Sequence, residues 1–218
     1  MKMFAATLSL ALSVACSAFA DDLVAKSQVS PAPSKGMSKG AFSHDGFYMS
    51  NAVGFGYSEF KNDDEETSMT ANGVGFSLMH KLGYTVLPNL IVHANLTTVF
   101  YSHLDMDREG LAVYVRRYPN LKSMRLGLGA TYYLPEYGNL FIGGAAGVVG
   151  YFIDVPKMSG STGPEGYGFS LEVGREFWVS ENWGLGLAFV YNSGALNDRV
   201  DGRFNSSSIH LMLTATYN

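Results

Sequence analysis

From Phe47 to Tyr217, apolar side chains recur at every second position in successive short segments, separated mainly by Gly, Ala and Ser. A period of two belongs to the β-strand, whose side chains point alternately to opposite faces. The residues on the second face are too small to suit water. A soluble sandwich or lipocalin-like barrel would turn its apolar face inward and leave that second face in solvent, where Lys, Glu and Thr are expected. A crowded lumen suits Gly, Ala and Ser better. Beyond Phe19 no run of about 18 apolar residues occurs, so no transmembrane helix is available. A closed barrel is then the remaining way to satisfy every backbone hydrogen bond in lipid. The reading is an all-β, closed antiparallel transmembrane β-barrel of about eight strands in an up-and-down meander.

The segments run as follows. Phe47, Met49, Val53, Phe55 and Tyr57 alternate with Tyr48, Ser50, Ala52, Gly54, Gly56 and Ser58. Val74, Phe76, Leu78, Leu82 and Tyr84 alternate with Gly75, Ser77, Met79, Lys81 and Gly83, and Val92, Ala94, Leu96 and Phe100 with His93, Asn95 and Thr97. Later segments set Met124 to Leu134 against Arg125 to Tyr133, Tyr167 to Val173 against Ser170 to Glu176, Trp183 to Tyr191 against Gly184 to Asn192, and Ile209 to Tyr217 against Ser208 to Thr216. The stretch Leu140 to Ile153 is so rich in Gly and Ala that its faces stay unassigned. Long connections are read over Asn62–Glu66, Ser102–Lys122, Asp154–Gly166 and Ala195–Asn205, and short turns at Leu87–Asn89, Pro135–Asn139 and Ser180–Asn182. Alternating long and short connections with an even strand number is the bacterial outer-membrane pattern, short turns lying on the periplasmic side. Tyr84, Tyr132, Trp178, Trp183 and Tyr217 fall near the short turns, where an interfacial aromatic girdle belongs.

The start of the chain agrees with export. Lys2, an apolar stretch to Phe19 and Ala18-Phe19-Ala20 followed by Asp21-Asp22 read as a signal peptide cleaved after Ala20, so residues 1–20 are assigned to it. Cys16, the one cysteine, lies inside this segment, and Leu12-Ser13-Val14-Ala15 before it fits a lipobox poorly. A mature chain without cysteine has no disulfide and no thiolate chemistry. Residues 21–44, rich in Ser, Pro, Gly and Lys, read as a flexible periplasmic tail, and residues 45–218 as the barrel domain. Only 16% of residues are charged, against about 25% in ordinary soluble domains. A formal charge of -4 leaves no basic footprint for nucleic acid.

On its alternation, its long-short connection order and its last strand, Ile209-His210-Leu211-Met212-Leu213-Thr214-Ala215-Thr216-Tyr217, the chain resembles small outer-membrane barrels of the OmpX and OmpA-transmembrane-domain type, and its hairpin Val173-Gly174-Arg175-Glu176-Phe177-Trp178-Val179-Ser180-Glu181-Asn182-Trp183-Gly184-Leu185-Gly186 resembles one of uncharacterised outer-membrane barrel proteins. The resemblance covers residues 45 to 218. It implies a terminal strand read by the barrel-assembly machinery, with Asn218 after Tyr217 as a departure, and outer-membrane lipid as surroundings.

Candidate chemistry lies in the lumen. An eight-stranded interior is just wide enough to be filled by side chains. The inward set holds Lys81, Arg125, Glu172 and Glu176 with His93 and His210, read as a plug of paired charges and hydrogen bonds. Depth along the strands pairs Lys81 with Glu176 and Arg125 with Glu172. Ser208 and His210 raise the alternative of an envelope lipid-modifying enzyme, but no third partner and no G-x-S-x-G elbow is present. His103, Asp105 and Asp107 suggest a rim protease or metal site only weakly, and His80 falls outward near the periplasmic end. No catalytic, cofactor or metal site is assigned. The function read from the sequence is non-enzymatic, structural or surface-interacting, through long loops that meet an unknown extracellular partner. A lipid-modifying enzyme and a narrow channel stand as alternatives.

Overall fold

The computed structural model describes residues 42–62, 69–108, 121–153, 162–198 and 202–218. Their strands are β1 (Phe47–Asn62), β2 (Met69–Leu87), β3 (Leu90–Arg108), β4 (Leu121–Leu134), β5 (Leu140–Ile153), β6 (Thr162–Trp178), β7 (Trp183–Asp198) and β8 (Gly202–Tyr217). Each pairs antiparallel with the next, and β1 pairs with β8 to close the barrel. The closing seam sets Val53 opposite Leu213 and Tyr57 opposite Ile209. Closure leaves no unpaired sheet edge, the condition for crossing a bilayer with strands.

The alternation read from the sequence is the alternation of inside and outside. Phe55, Leu82, Leu128, Leu171, Leu187 and Leu213 are exposed on the outer wall. Tyr48, Ser50, Met79, Asn95, Thr131 and Met212 are buried in the lumen. An apolar skin this continuous is far beyond what a protein in water carries. β5 takes its place in the same scheme, with Phe141, Ala145 and Tyr151 inside and Ile142 and Val148 outside. Its own side chains could not show this, because Gly and Ala suit either face. The faces follow from register, Arg125 lying opposite Val149 and Tyr133 opposite Phe141.

Three connections are shorter than the sequence suggests. β3 runs on to Arg108, β6 begins at Thr162, and β7 and β8 reach Asp198 and Gly202, inside the spans read as loops 102–122, 154–166 and 195–205. About 9–11 residues cross a bilayer, whereas these strands have 14 to 19. Toward the long-loop end polar residues enter the outward face, so a paired hairpin continues there without strict alternation to mark it. The acidic stretch Asp63 to Glu66, the run Leu111 to Val115 that could extend a strand above the membrane, and residues 1–20, read above as a signal peptide, lie outside the described residues.

The other end is made of tight turns. Pro88 and Asn89 join β2 to β3, with Asn89 at φ 64°. Between β4 and β5 a single 3-10 turn, Pro135–Tyr137, ends in Gly138 at φ 71°, whose N–H donates to the Pro135 carbonyl. The left-handed conformation there explains the glycine. Ahead of β1, Phe42 donates its backbone N–H to the Glu181 carbonyl at 2.9 Å, and His44 is buried. The rings of Phe42 and His44 find aromatic partners at the barrel mouth, which composition could not foretell.

Candidate functional site

Among the described residues the lumen gathers buried ionisable groups, and the strands stack them in layers. At the short-turn end, the His44 ring stacks on Tyr133 with centroids 3.5 Å apart and tilts against Trp178 at 4.8 Å. Phe42 meets Trp178 edge-on at 6.1 Å. Burial lowers the His44 pKa to about 4, while Asn218 and Asp45 push it partly back up. Trp178 therefore faces the mouth from inside, on the parity of Glu176, and is not part of the outer girdle. The outer ring keeps Tyr84 and Tyr132, both exposed, and Trp183 packed edge-on against Tyr217 at 5.4 Å.

One layer further in, the Tyr133 hydroxyl donates to Glu176 Oε2 at 3.2 Å and lies 3.4 Å from the Tyr48 hydroxyl. Next comes the ion pair of the lumen, Lys81 with Glu172, both almost fully buried. Glu172 Oε1 also accepts from the Thr131 hydroxyl at 3.0 Å, and Thr131 Oγ1 lies 3.0 Å from His93 Nε2. Since the one Thr131 proton goes to the carboxylate, its oxygen accepts, and His93 carries its proton on Nε2. Gly143 faces Glu172 across β5 and β6, and a Cβ there would run into Oε1. The glycine makes room for the carboxylate.

Beyond the pair, His210 Nδ1 is 2.6 Å from Ser77 Oγ and its Nε2 is 2.9 Å from Ser208 Oγ. Arg125 donates to the Phe169 carbonyl at 3.1 Å and to Thr97 Oγ1 at 3.3 Å. Thr97 in turn donates to Asn95 Oδ1 at 2.9 Å. The long-loop end holds Val99, Tyr101, Tyr151 and Leu196, with Phe60 edge-on to both tyrosines.

All six residues singled out in the lumen are thus inside, but the charges pair differently from the expectation. Lys81 takes Glu172, not Glu176, and Arg125 takes neither glutamate. Residue counting from the turns ignores the stagger between strands that closing a barrel imposes, so equal counts are not equal depths. The hydroxyl partners Thr131, Ser77 and Tyr133 were not singled out, although their inward parity was plain. His44 gave no signal at all. His80 is exposed on the outer wall and shares a hydrogen bond with Asn51 Oδ1 at 2.7 Å. The backbones of His103, Asp105 and Asp107 lie in β3, and their side chains are outside the described residues. Among the described residues no cluster suited to a metal occurs.

What this arrangement can do chemically is limited. His210 sits between two hydroxyls, and among the described residues no carboxylate bonds its second nitrogen as a hydrolytic triad requires. No protein-family model and no curated protein matches the chain. Its fold is similar to that of Neisserial surface protein A, with TM-score 0.58 and 17% identity over 79% of this chain and 97% of that one. It is also similar to the outer membrane protein AlkL in lipid bilayers, with TM-score 0.50 and 15% identity over 88% and 96%. OprG from Pseudomonas aeruginosa aligns at TM-score 0.47 and 15% identity over 80% and 97%. The likeness is one of fold, that of the small outer-membrane barrels.

Proposed function

We propose that this chain is a non-enzymatic, integral protein of the bacterial outer membrane, a closed scaffold that presents its long-loop end outside the cell. The observation that carries the reading is the division of the wall. The outer surface is an apolar belt with aromatic side chains at the short-turn end, while the lumen spends its polar groups on one another, Lys81 and Thr131 on Glu172, His210 on Ser77 and Ser208. A narrow barrel filled in this way offers no aqueous path, which favours a structural or surface-interaction role over a channel. Export by a signal peptide cleaved after Ala20 supplies the route. The C-terminal strand β8, alternating to Tyr217, supplies the segment for the barrel-assembly machinery. A partner would be met by the long connections. Single cysteines introduced for labelling with an impermeant reagent in intact cells test the orientation. Asp64→Cys should label, and Asn139→Cys and Asn182→Cys should not; the reverse pattern overturns the reading.

A further inference from the structure

Two cations and two carboxylates lie in the lumen, yet they do not neutralise one another pairwise. Lys81 holds Glu172, Glu176 lies beside Tyr133, and Arg125 makes no ion pair among the described residues. Arg125 stays charged at any relevant pH. A guanidinium that is only 6% exposed, with two neutral acceptors, is short of negative charge. Beside it lies a cavity of about 40 Å³, on a measure in which one water needs about 10–15 Å³. Its wall combines apolar side chains, Phe60, Val99 and Val149, with hydroxyl and amide groups that include Thr97, Ser123, Asn192, Ser206, Ser208 and Tyr151. Among the described residues no Asp or Glu lines it. Thr97 donates to Asn95, Ser206 to the Gly194 carbonyl and one Asn192 amide proton to Ser208, so the donors left for an acceptor are the guanidinium N–H groups, the second Asn192 amide proton and the uncommitted hydroxyls.

We propose that Arg125 and this hydroxyl-lined cavity form a binding site for one small monovalent anion, a halide, nitrate or formate-sized carboxylate. The size excludes sugars and nucleotides, and the single cation sets the charge. The site lies on the long-loop side of the Lys81–Glu172 pair, since Arg125 is near the start of β4 and Thr131, which holds Glu172, is near its end. It does not depend on which end of the barrel faces the outside.

The probe is chloride, with the purified full-length protein in detergent. Chloride NMR line broadening should scale with protein and be reversed by formate or nitrate. Replacing gluconate by chloride at constant ionic strength should raise the unfolding midpoint, since an anion bound to the native state stabilises it. R125M, checked for folding by heat-modifiable gel mobility, should lose both effects. Absence of either effect in the parent protein, or their persistence in R125M, overturns the site. If R125M does not fold, a crystal of the parent soaked in bromide decides. An anomalous peak in contact with the Arg125 guanidinium supports the proposal, and water alone in the cavity defeats it.

Discussion

Glu172 is the residue on which most of the lumen converges, for it receives both Lys81 and Thr131, and through Thr131 it orders His93. Glu172→Gln leaves Lys81 buried and uncompensated, and removing one member of such a pair typically costs about 3–5 kcal/mol. Chemical unfolding in detergent should show that loss, and a second change, Lys81→Met, should recover part of it; additive losses would mean that the pair is not coupled. His44 makes a prediction about pH. Its pKa falls from 6.5 to about 4 on folding, so the unfolded or undocked segment binds the proton more readily. The contribution is complete above pH 6.5, declines as pH falls toward 4, and amounts to about 3 kcal/mol. Asp45, Tyr133 and, behind Tyr133, Glu176 are the other ionisable groups near it. Because Trp178 packs on His44, tryptophan fluorescence should change in that window in the parent and in Glu176→Gln, and stay flat in His44→Phe.

Strands are where position along the barrel becomes energy. On β7, Leu187 lies on the outer wall opposite Leu213, while its neighbour Gly186 faces Thr214 inside. Leu187→Arg should cost about 2–4 kcal/mol if the position lies near the bilayer midplane. Folding into lipid vesicles of the variant beside the parent checks it, and equal folding would reverse the face assigned to β7. The strands themselves were legible because their two faces differ in size and polarity. β5 was not, since its Gly and Ala residues exist to admit neighbours, Gly143 admitting Glu172 for one.

At the scale of the whole barrel unit, packed side chains occupy the lumen toward both ends. Aromatic and aliphatic side chains crowd its long-loop end, and Phe42, His44 and Trp178 close the short-turn end. Planar-bilayer recording should therefore give no large, steady conductance from the parent protein; a sustained open level would mean that the layers part in the membrane. The fold likeness to Neisserial surface protein A and AlkL extends over nearly the whole of those chains.

The amino-acid sequence by itself determined the strand number and the two faces of seven strands, with Lys81, His93, Arg125, Glu172, Glu176 and His210 on the inward parity. A period of two is a local property, written in the order of neighbours and independent of how strands are staggered. Only the tertiary structure decided which of those residues meet. Pairing of Lys81 with Glu172, the lone Arg125 beside its cavity and the return of His44 to the mouth each join residues far apart in sequence. Their contacts depend on the tilt and stagger with which eight strands close, a quantity that belongs to the sheet and to no single segment of it.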